Sequence, residues 1–381
     1  MTRSGRLGLG IVGLGYAGRA MAEAAVRHSR IDLVSVTDAN PELTGEVAAR
    51  YSTAGQPTLE GMLTSPDVDA IYVATPTQFH YGQARQVAAA RRHAIVEKPM
   101  AVRVADAEKM QALFDQAGVV LIVGHSQSFD VPSQNLAEAV TTGRLPGPAM
   151  AGIDPAIGRL GSLRAITSSC FTDWVRRPRK PSDLDRRLGG GVAFRQGAHQ
   201  FDVIRLAAGR PARRIRAQGI TTEGGASVSA YSALLEFDGG VYATATYSGL
   251  GHFDSRLLTF GVGEAGERLR PGHGGYRRTI PSGGQLAAPM FGLVIATFDE
   301  ADVILAPDGF LVERDGMSIE WPYRGGPSGW QAVLEELAGC VLDGKPATHG
   351  GRWGVGTLEI CAAVEASART GRTVTLRRQG G

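Results

Sequence analysis

Two short stretches carry side chains that could move a proton. Lys98 stands just past the apolar run His93 to Glu97 and just before Pro99. Withdrawal from water, especially beside a positively charged ring, disfavours the ammonium form, so the amine's pKa falls toward neutrality and it becomes a usable acid/base. A solvated lysine whose proline merely ends a strand is the plainer alternative. The second stretch is Leu188 to Asp202, LGGGVAFRQGAHQFD. Its three successive glycines permit close backbone approach. The segment that follows reads as a helix with His199 and Asp202 three apart on one face. It fits a binding site, and equally a Gly-rich turn feeding an amphipathic helix whose histidine is internal. The rest of the chain has to decide.

The elements that would position Lys98 begin with an apolar strand, Leu7 to Val12, running into Gly13-Leu14-Gly15-Tyr16-Ala17-Gly18 and an alanine-rich helix, Arg19 to His28. In this GxGxxG the first glycine allows the tight turn, the second lets a pyrophosphate approach the backbone, and the third lets helix and strand pack closely. A second strand, Asp32 to Thr37, ends in Asp38, where an acid can take ribose hydroxyls and repel a 2′-phosphate. Ala39-Asn40-Pro41 follow without an arginine, so NAD is expected and NADP disfavoured.

Helices at Pro41 to Tyr51, Leu59 to Leu63, Gln78 to Ala90 and Val104 to Gln116 alternate with strands at Val68 to Ala74, His93 to Glu97 and Val119 to Val123. Such alternation predicts a parallel sheet whose ligands lie beyond the carboxyl ends of its strands. Two of those ends stand out, Ala74-Thr75-Pro76-Thr77-Gln78-Phe79-His80 and Val96-Glu97-Lys98-Pro99-Met100.

After residue 124 the pattern changes. A helix from Ser133 to Thr142 and a Gly- and Pro-rich connection, Gly143 to Gly158, lead to a strand at Ser162 to Ser169. Val228 to Phe237 and Val241 to Tyr247, joined by Asp238-Gly239-Gly240, read as a hairpin. Short strands follow at Leu293 to Thr297, Asp302 to Leu305, Phe310 to Glu313 and Met317 to Glu320. Gly263 to Pro289 reads as a long loop. Helices at Gly329 to Leu342 and Trp353 to Thr370, with a last strand at Thr373 to Leu376, are placed to buttress the first half. The fold class is therefore α/β: a Rossmann domain over residues 1–124, an α/β domain with a large open, mainly antiparallel sheet over 125–350, and a returning helix and strand over 351–381.

Composition narrows the partners. Forty basic against 37 acidic side chains give a net charge of +3, too little to argue for nucleic acid or a membrane surface. Cys170, Cys340 and Cys361 form neither a disulfide framework nor a metal pattern, so no metal is expected and a reduced, cytoplasmic setting fits. No run reaches the roughly 18 apolar residues of a membrane span.

Taken as a set, GLGYAG, TPxxxxH, EKP and GGGxxxxxGxH make the whole chain resemble the Gfo/Idh/MocA oxidoreductase family. The resemblance implies a homodimer or homotetramer built by the open sheet. It implies that Lys98 and His199 are the catalytic acid/base pair, and that Thr75, Pro76, His80, Glu97 and Pro99 lie on the cofactor side. One position departs from the pattern: Arg195 stands where the family usually has an aspartate. A guanidinium suits a carboxylate, which it can hold bidentately. With the upstream run Trp174-Val175-Arg176-Arg177-Pro178-Arg179-Lys180, it points to a small anionic substrate bound by Arg195, Arg176, Arg177 and Arg179, with Asp202 nearby. SFDxP, WVxRPRxP and GGGVxFRQGAHQxD resemble the phthalate cis-dihydrodiol dehydrogenase branch. That likeness implies oxidation of a carboxylated cis-dihydrodiol to a catechol. The competing readings are a sugar, uronate or inositol dehydrogenase, a non-catalytic NAD-binding regulator, and a Rossmann methyltransferase, which would not need Lys98.

Overall fold

The structure, a computed structural model, describes residues 5–124, 126–147, 155–221, 227–264, 266–268 and 287–380. Most of the loop expected over Gly263 to Pro289, the middle of the connection Gly143 to Gly158, and His125 at the expected boundary lie outside these residues.

The first half runs β1 (Leu7–Val12), α1 (Tyr16–Ala25), β2 (Ile31–Thr37), α2 (Pro41–Tyr51), β3 (Ala54–Gly55), α3 (Leu59–Leu63), β4 (Ala70–Val73), α4 (Thr77–Ala89), β5 (His93–Val96), α5 (Val104–Ala117) and β6 (Leu121–Val123). Its strands pair in parallel in the order β3-β2-β1-β4-β5-β6. The order reverses between β1 and β4, and a doubly wound sheet opens its ligand crevice at that reversal. Strands β1, β4 and β6 are buried at every position, as parallel strands covered on both faces must be.

The second half contributes α6 (Val131–Thr142), β7 (Leu163–Phe171), α7 (Pro181–Leu184), α8 (Val192–Arg195), α9 (Gly197–Ala208), β8 (Ala212–Ile220), β9 (Ala230–Phe237) and β10 (Tyr242–Ser248). It continues with β11 (Leu293–Phe298), β12 (Asp302–Leu305), β13 (Gly309–Arg314), β14 (Met317–Pro322), α10 (Gly329–Leu342), α11 (Gly351–Thr370) and β15 (Val374–Thr375). The nine strands order as β14-β13-β12-β11-β7-β10-β9-β8-β15. All neighbours are antiparallel except β7 and β10, which run parallel at the centre. Burial alternates along β9 and β10, so one face packs under α9 and α11 while Leu234 and Tyr242 stay exposed on the other. No described helix is long and apolar enough to cross a membrane.

Three features differ from the expected layout. The stretch after the glycines is two helices, separated by a single turn residue, Gln196, at φ −111°. Strand β8 has no counterpart in the sequence reading, because Arg213, Arg214 and Arg216 hide its alternation. The domain limits also shift. Helix α10, inside the range assigned to the second domain, packs on α1, and its Val333, Leu334, Leu337 and Ala338 share a core with Leu9, Ile11 and Met21. Helix α11 touches α5 and β6 on one side and β8 and α9 on the other, whereas β15 extends the second sheet.

Leu337 is fully buried in that shared core. Leu337→Ala is expected to lower unfolding free energy by about 2–4 kcal/mol, the usual cost of a core cavity. A urea titration yielding less than about 1 kcal/mol would contradict the packing.

Candidate active site

The cofactor edge is built by three glycines with different tasks. Gly13 has φ +91°, and a Cβ there would meet the backbone of Ala74 and Thr75 at 2.8 Å. Gly18 packs so closely that its Cβ would lie 1.9 Å from the Gly13 oxygen. Gly15, the N-cap of α1, faces open space within 4 Å and leaves the helix N-terminus without a side-chain cap. A pyrophosphate fits this cradle, where backbone N–H groups and the helix dipole favour negative charge. Tyr16 and Ala17 form the first turn, and Tyr16 is exposed.

Asp38 leaves β2 directly behind the turn. Its carboxylate accepts hydrogen bonds from Leu14 N at 2.6 Å and Asn40 N at 2.9 Å. The acid is thus fixed against the glycine turn, with lone pairs remaining for ribose hydroxyls.

At the ends of β4 and β5 the polar side chains serve the backbone. His80 is buried, its Nε2 2.8 Å from the Thr75 carbonyl and its Nδ1 3.1 Å from the Pro99 carbonyl. Burial lowers its pKa from the ordinary value, and the contacts with the backbone carbonyls oppose that shift. Pro76 is the N-cap of α4, and Thr75 donates its hydroxyl to Gln83 at 2.5 Å. Glu97 accepts from the Tyr72 hydroxyl at 2.6 Å and from Lys98 N at 3.1 Å. His80 and Glu97, expected beside the cofactor, therefore hold the loops that carry Thr75, Lys98 and Pro99.

Lys98 Nζ donates to the Arg195 carbonyl at 3.0 Å, across the joint between the two domains. The side chain borders an apolar cavity with Met100, Val123, Ala198, Leu358 and Cys361. Burial is the main cause that pulls its pKa down to about 8; the Arg195 charge pushes the same way, and Glu97 and Glu264 oppose it. His199 enters from α9, one residue beyond Ala198 of that cavity, with its ring 5.3 Å from Phe291. Phe291 stacks in turn on Tyr247, and Tyr247 on Tyr231, so a run of rings leads away from His199.

The arginines are not equivalent. Arg195 Nη2 pairs with Asp183 at 2.5 Å and Nη1 donates to Thr77 at 3.3 Å. Its charge is balanced here by a carboxylate of its own chain. The glycines permit this, since a Cβ on Gly190 would meet the Asp183 backbone at 2.7 Å and one on Gly189 would meet Thr77 at 2.8 Å. Arg177 is paired with Asp173 at 2.5 Å, and exposed Arg176 reaches His252 Nδ1 at 3.2 Å. Arg179 lies over the Trp174 ring, 4.3 Å from its centre.

Asp202, expected near the substrate, lines the same cavity as Lys98 and is also a hydrogen-bond hub. It accepts from Ser128 at 2.5 Å, Trp353 Nε1 at 2.6 Å and Thr357 at 2.7 Å, tying α9 to α11 and to the segment after β6. Thr77 lies in the strand end singled out above, whereas Asp183, Phe291 and Tyr247, which adjoin Arg195 and His199, were not marked by the motifs. Asp183 had one signal, an acid twelve positions before an unexpected arginine. The aromatic pair had none.

Comparison with known proteins comes to the same frame. Residues 7–125 match the model described as "Oxidoreductase family, NAD-binding Rossmann fold", and residues 156–266 match the "GFO/IDH/MocA C-terminal domain". The chain is 32% identical over 385 residues, 93% of each protein, to the 1-carboxy-3-chloro-3,4-dihydroxycyclohexa-1,5-diene dehydrogenase of Comamonas testosteroni. It is 32% identical over 138 residues, 36% of this chain and 44% of the relative, to a 4-carboxy-2-hydroxymuconate-6-semialdehyde dehydrogenase of Sphingobium. A solved candidate dehydrogenase from Bordetella bronchiseptica RB50 superposes with a TM-score of 0.86 at 31% identity, covering 97% of this chain and 100% of that one.

Two substitutions test the geometry. Asp38→Ala is expected to relax the preference for NAD over NADP; an unchanged ratio of the two kcat/KM values would remove Asp38 from the ribose site. Asp202→Asn leaves buried donors facing an amide, so about 2–4 kcal/mol of stability should be lost. The substrate KM should stay within about threefold in whatever enzyme remains folded. A large KM change with unchanged thermal stability would return Asp202 to the substrate.

Proposed function

The chain belongs to the Gfo/Idh/MocA family and is an NAD-dependent oxidoreductase; from that premise we propose that it oxidises a carboxylated cis-dihydrodiol, phthalate 4,5-cis-dihydrodiol in the first instance, to the corresponding catechol. The observation that carries this reading is the seat of Lys98: a buried amine with a pKa near 8 at the crevice edge of β5, held by the second domain at the root of the helix bearing His199. That is where an acid/base must stand to serve a hydroxyl presented to a cofactor on the first sheet.

Lys98 in its neutral form takes the hydroxyl proton, and the resulting ammonium keeps its hydrogen bond to the Arg195 carbonyl. NAD, held by the Gly13–Gly18 turn and Asp38, would supply the acceptor for the hydride of the same carbon. His199 assists from the second domain and orients the hydroxyl. The ketone then loses the proton on its neighbouring ring carbon, and tautomerisation restores the aromatic ring. The Phe291 ring beside His199, backed by Tyr247, suits a flat, unsaturated ring. The arginine-rich segment after Trp174 supports an anionic substrate, and the Comamonas relative, by its name, acts on a carboxylated dihydroxycyclohexadiene. Assembly as a homodimer or homotetramer through the open face of the second sheet belongs to the same reading.

The test is an NAD-linked activity screen across aromatic dihydrodiols, uronates and neutral polyols. Turnover of the carboxylated dihydrodiol is expected, with kcat/KM rising through about pH 8 as the Lys98 amine loses its proton, and Lys98→Ala should bind NAD yet fail to turn over. Strong turnover of a neutral polyol with none of the dihydrodiol would defeat the substrate assignment. A flat profile between pH 6 and 9 would defeat Lys98 as the base.

A further inference from the structure

Four arginines were candidates for gripping an anion, and the structure sorts them by what already balances their charge. Arg195 is paired with Asp183 and Arg177 with Asp173. Arg176 is exposed, and its contact is to a histidine. Arg179 differs from all three. Its Nε donates to the Trp174 carbonyl at 2.8 Å and its plane lies over the Trp174 ring, so the guanidinium is pinned by one edge and one face. Trp174 is itself buried, which makes the platform rigid. The two terminal nitrogens of Arg179 remain, and among the described residues no carboxylate lies within ion-pair distance of them.

The direction in which this platform is anchored matters. Trp174 N donates to Thr172 at 3.1 Å, and Thr172 is hydrogen-bonded to the Tyr247 hydroxyl at 2.9 Å. Tyr247 stacks on Phe291, which lies beside His199. One continuous set of contacts therefore runs from the catalytic histidine, along the aromatic wall, to the ring beneath Arg179. Burial, and after it the neighbouring Arg177 charge, lowers the pKa of Arg179, while the more distant Asp183 and Asp173 carboxylates and Tyr247 oppose the shift without pairing with it.

We infer that Arg179 is the residue that selects a carboxylated substrate, receiving a ring carboxylate on its two terminal nitrogens while Trp174 holds the fork in plane. A planar fork fixed on an aromatic face loses little freedom on binding and matches a carboxylate bidentately, which an ammonium group cannot do. Arg195 then serves a different purpose: its guanidinium closes the joint to Asp183 and Thr77, and its carbonyl seats Lys98. The inference rests on the carboxylated-ring reading given above.

The experiment compares native, Arg179→Gln and Arg179→Lys full-length enzyme loaded with NAD, using the carboxylated cis-dihydrodiol and its neutral methyl ester. Arg179→Gln should raise KM for the acid by about 30-fold or more, the size expected for a lost charge-assisted pair. KM for the ester should move by less than about threefold, and the NAD dissociation constant should not change. Arg179→Lys, which keeps the charge but not the fork, should fall between the two. Equal losses on acid and ester, no loss at all, or an acid-selective loss in Arg177→Gln instead would overturn the inference. Should Arg179→Gln fail to bind NAD, Arg179→Lys decides by the same comparison. If the native enzyme turns over neutral polyols and leaves the carboxylated ring untouched, the functional reading fails on its own account. Arg179 is then judged with phthalate as the probe: its dissociation constant from the NAD-loaded protein must rise in Arg179→Lys, and an unchanged value refutes the anion site.

Discussion

The hydrogen bond from Lys98 Nζ to the Arg195 carbonyl is the point at which two separately built domains become one site. A lysine at a strand end is ordinarily solvated, but this one is enclosed by the second domain, and enclosure brings its amine close to neutrality. The carbonyl costs nothing in charge and accepts from either protonation state, so the nitrogen keeps its position while its proton comes and goes. Around that contact the neighbouring polar groups act as braces. His80 ties the β4 loop to the β5 loop, Glu97 anchors Tyr72 and the Lys98 backbone, and Asp202 fastens the helix carrying His199.

Charge balance orders the rest of the site. Removing an arginine from water is tolerable when a carboxylate or a ring meets it: Arg195 and Arg177 each meet a carboxylate and Arg179 meets a ring, while Arg176 stays exposed. The pairing of Arg195 with Asp183 explains how the second domain accommodates a guanidinium at this position. The positive charge is cancelled locally, and the pair becomes part of the domain joint.

Much of this was legible in the chain itself. Periodicity and turn residues located nearly every strand and helix of the first half, because buried parallel strands are continuous apolar runs and their helices are capped by recognisable residues such as Asn40 and Thr58. The glycine turn, Asp38, Lys98 and His199 were marked by type and spacing. What escaped notice depended on contacts distant in sequence. The hydrogen bonds of Asp202 to Trp353 and Thr357 were hidden because those partners come from the far end of the chain. Strand β8 was concealed by arginines on its exposed face, although Ile215 and Ala217 are buried beneath them. The fourfold choice among arginines could not be narrowed without knowing which acids stand beside them.

The placement of α10 bears on how the protein is made. The apolar face of α1 and the neighbouring face of the first sheet are covered by Val333, Leu334, Leu337 and Ala338, residues encoded more than three hundred positions after the glycine turn. A chain leaving the ribosome can form the nucleotide-binding strands early, yet it exposes that uncovered face throughout the synthesis of the second domain. The first domain to be translated is thus among the last to be sealed, and folding of the cofactor site to its final stability waits on the carboxyl-terminal third of the sequence.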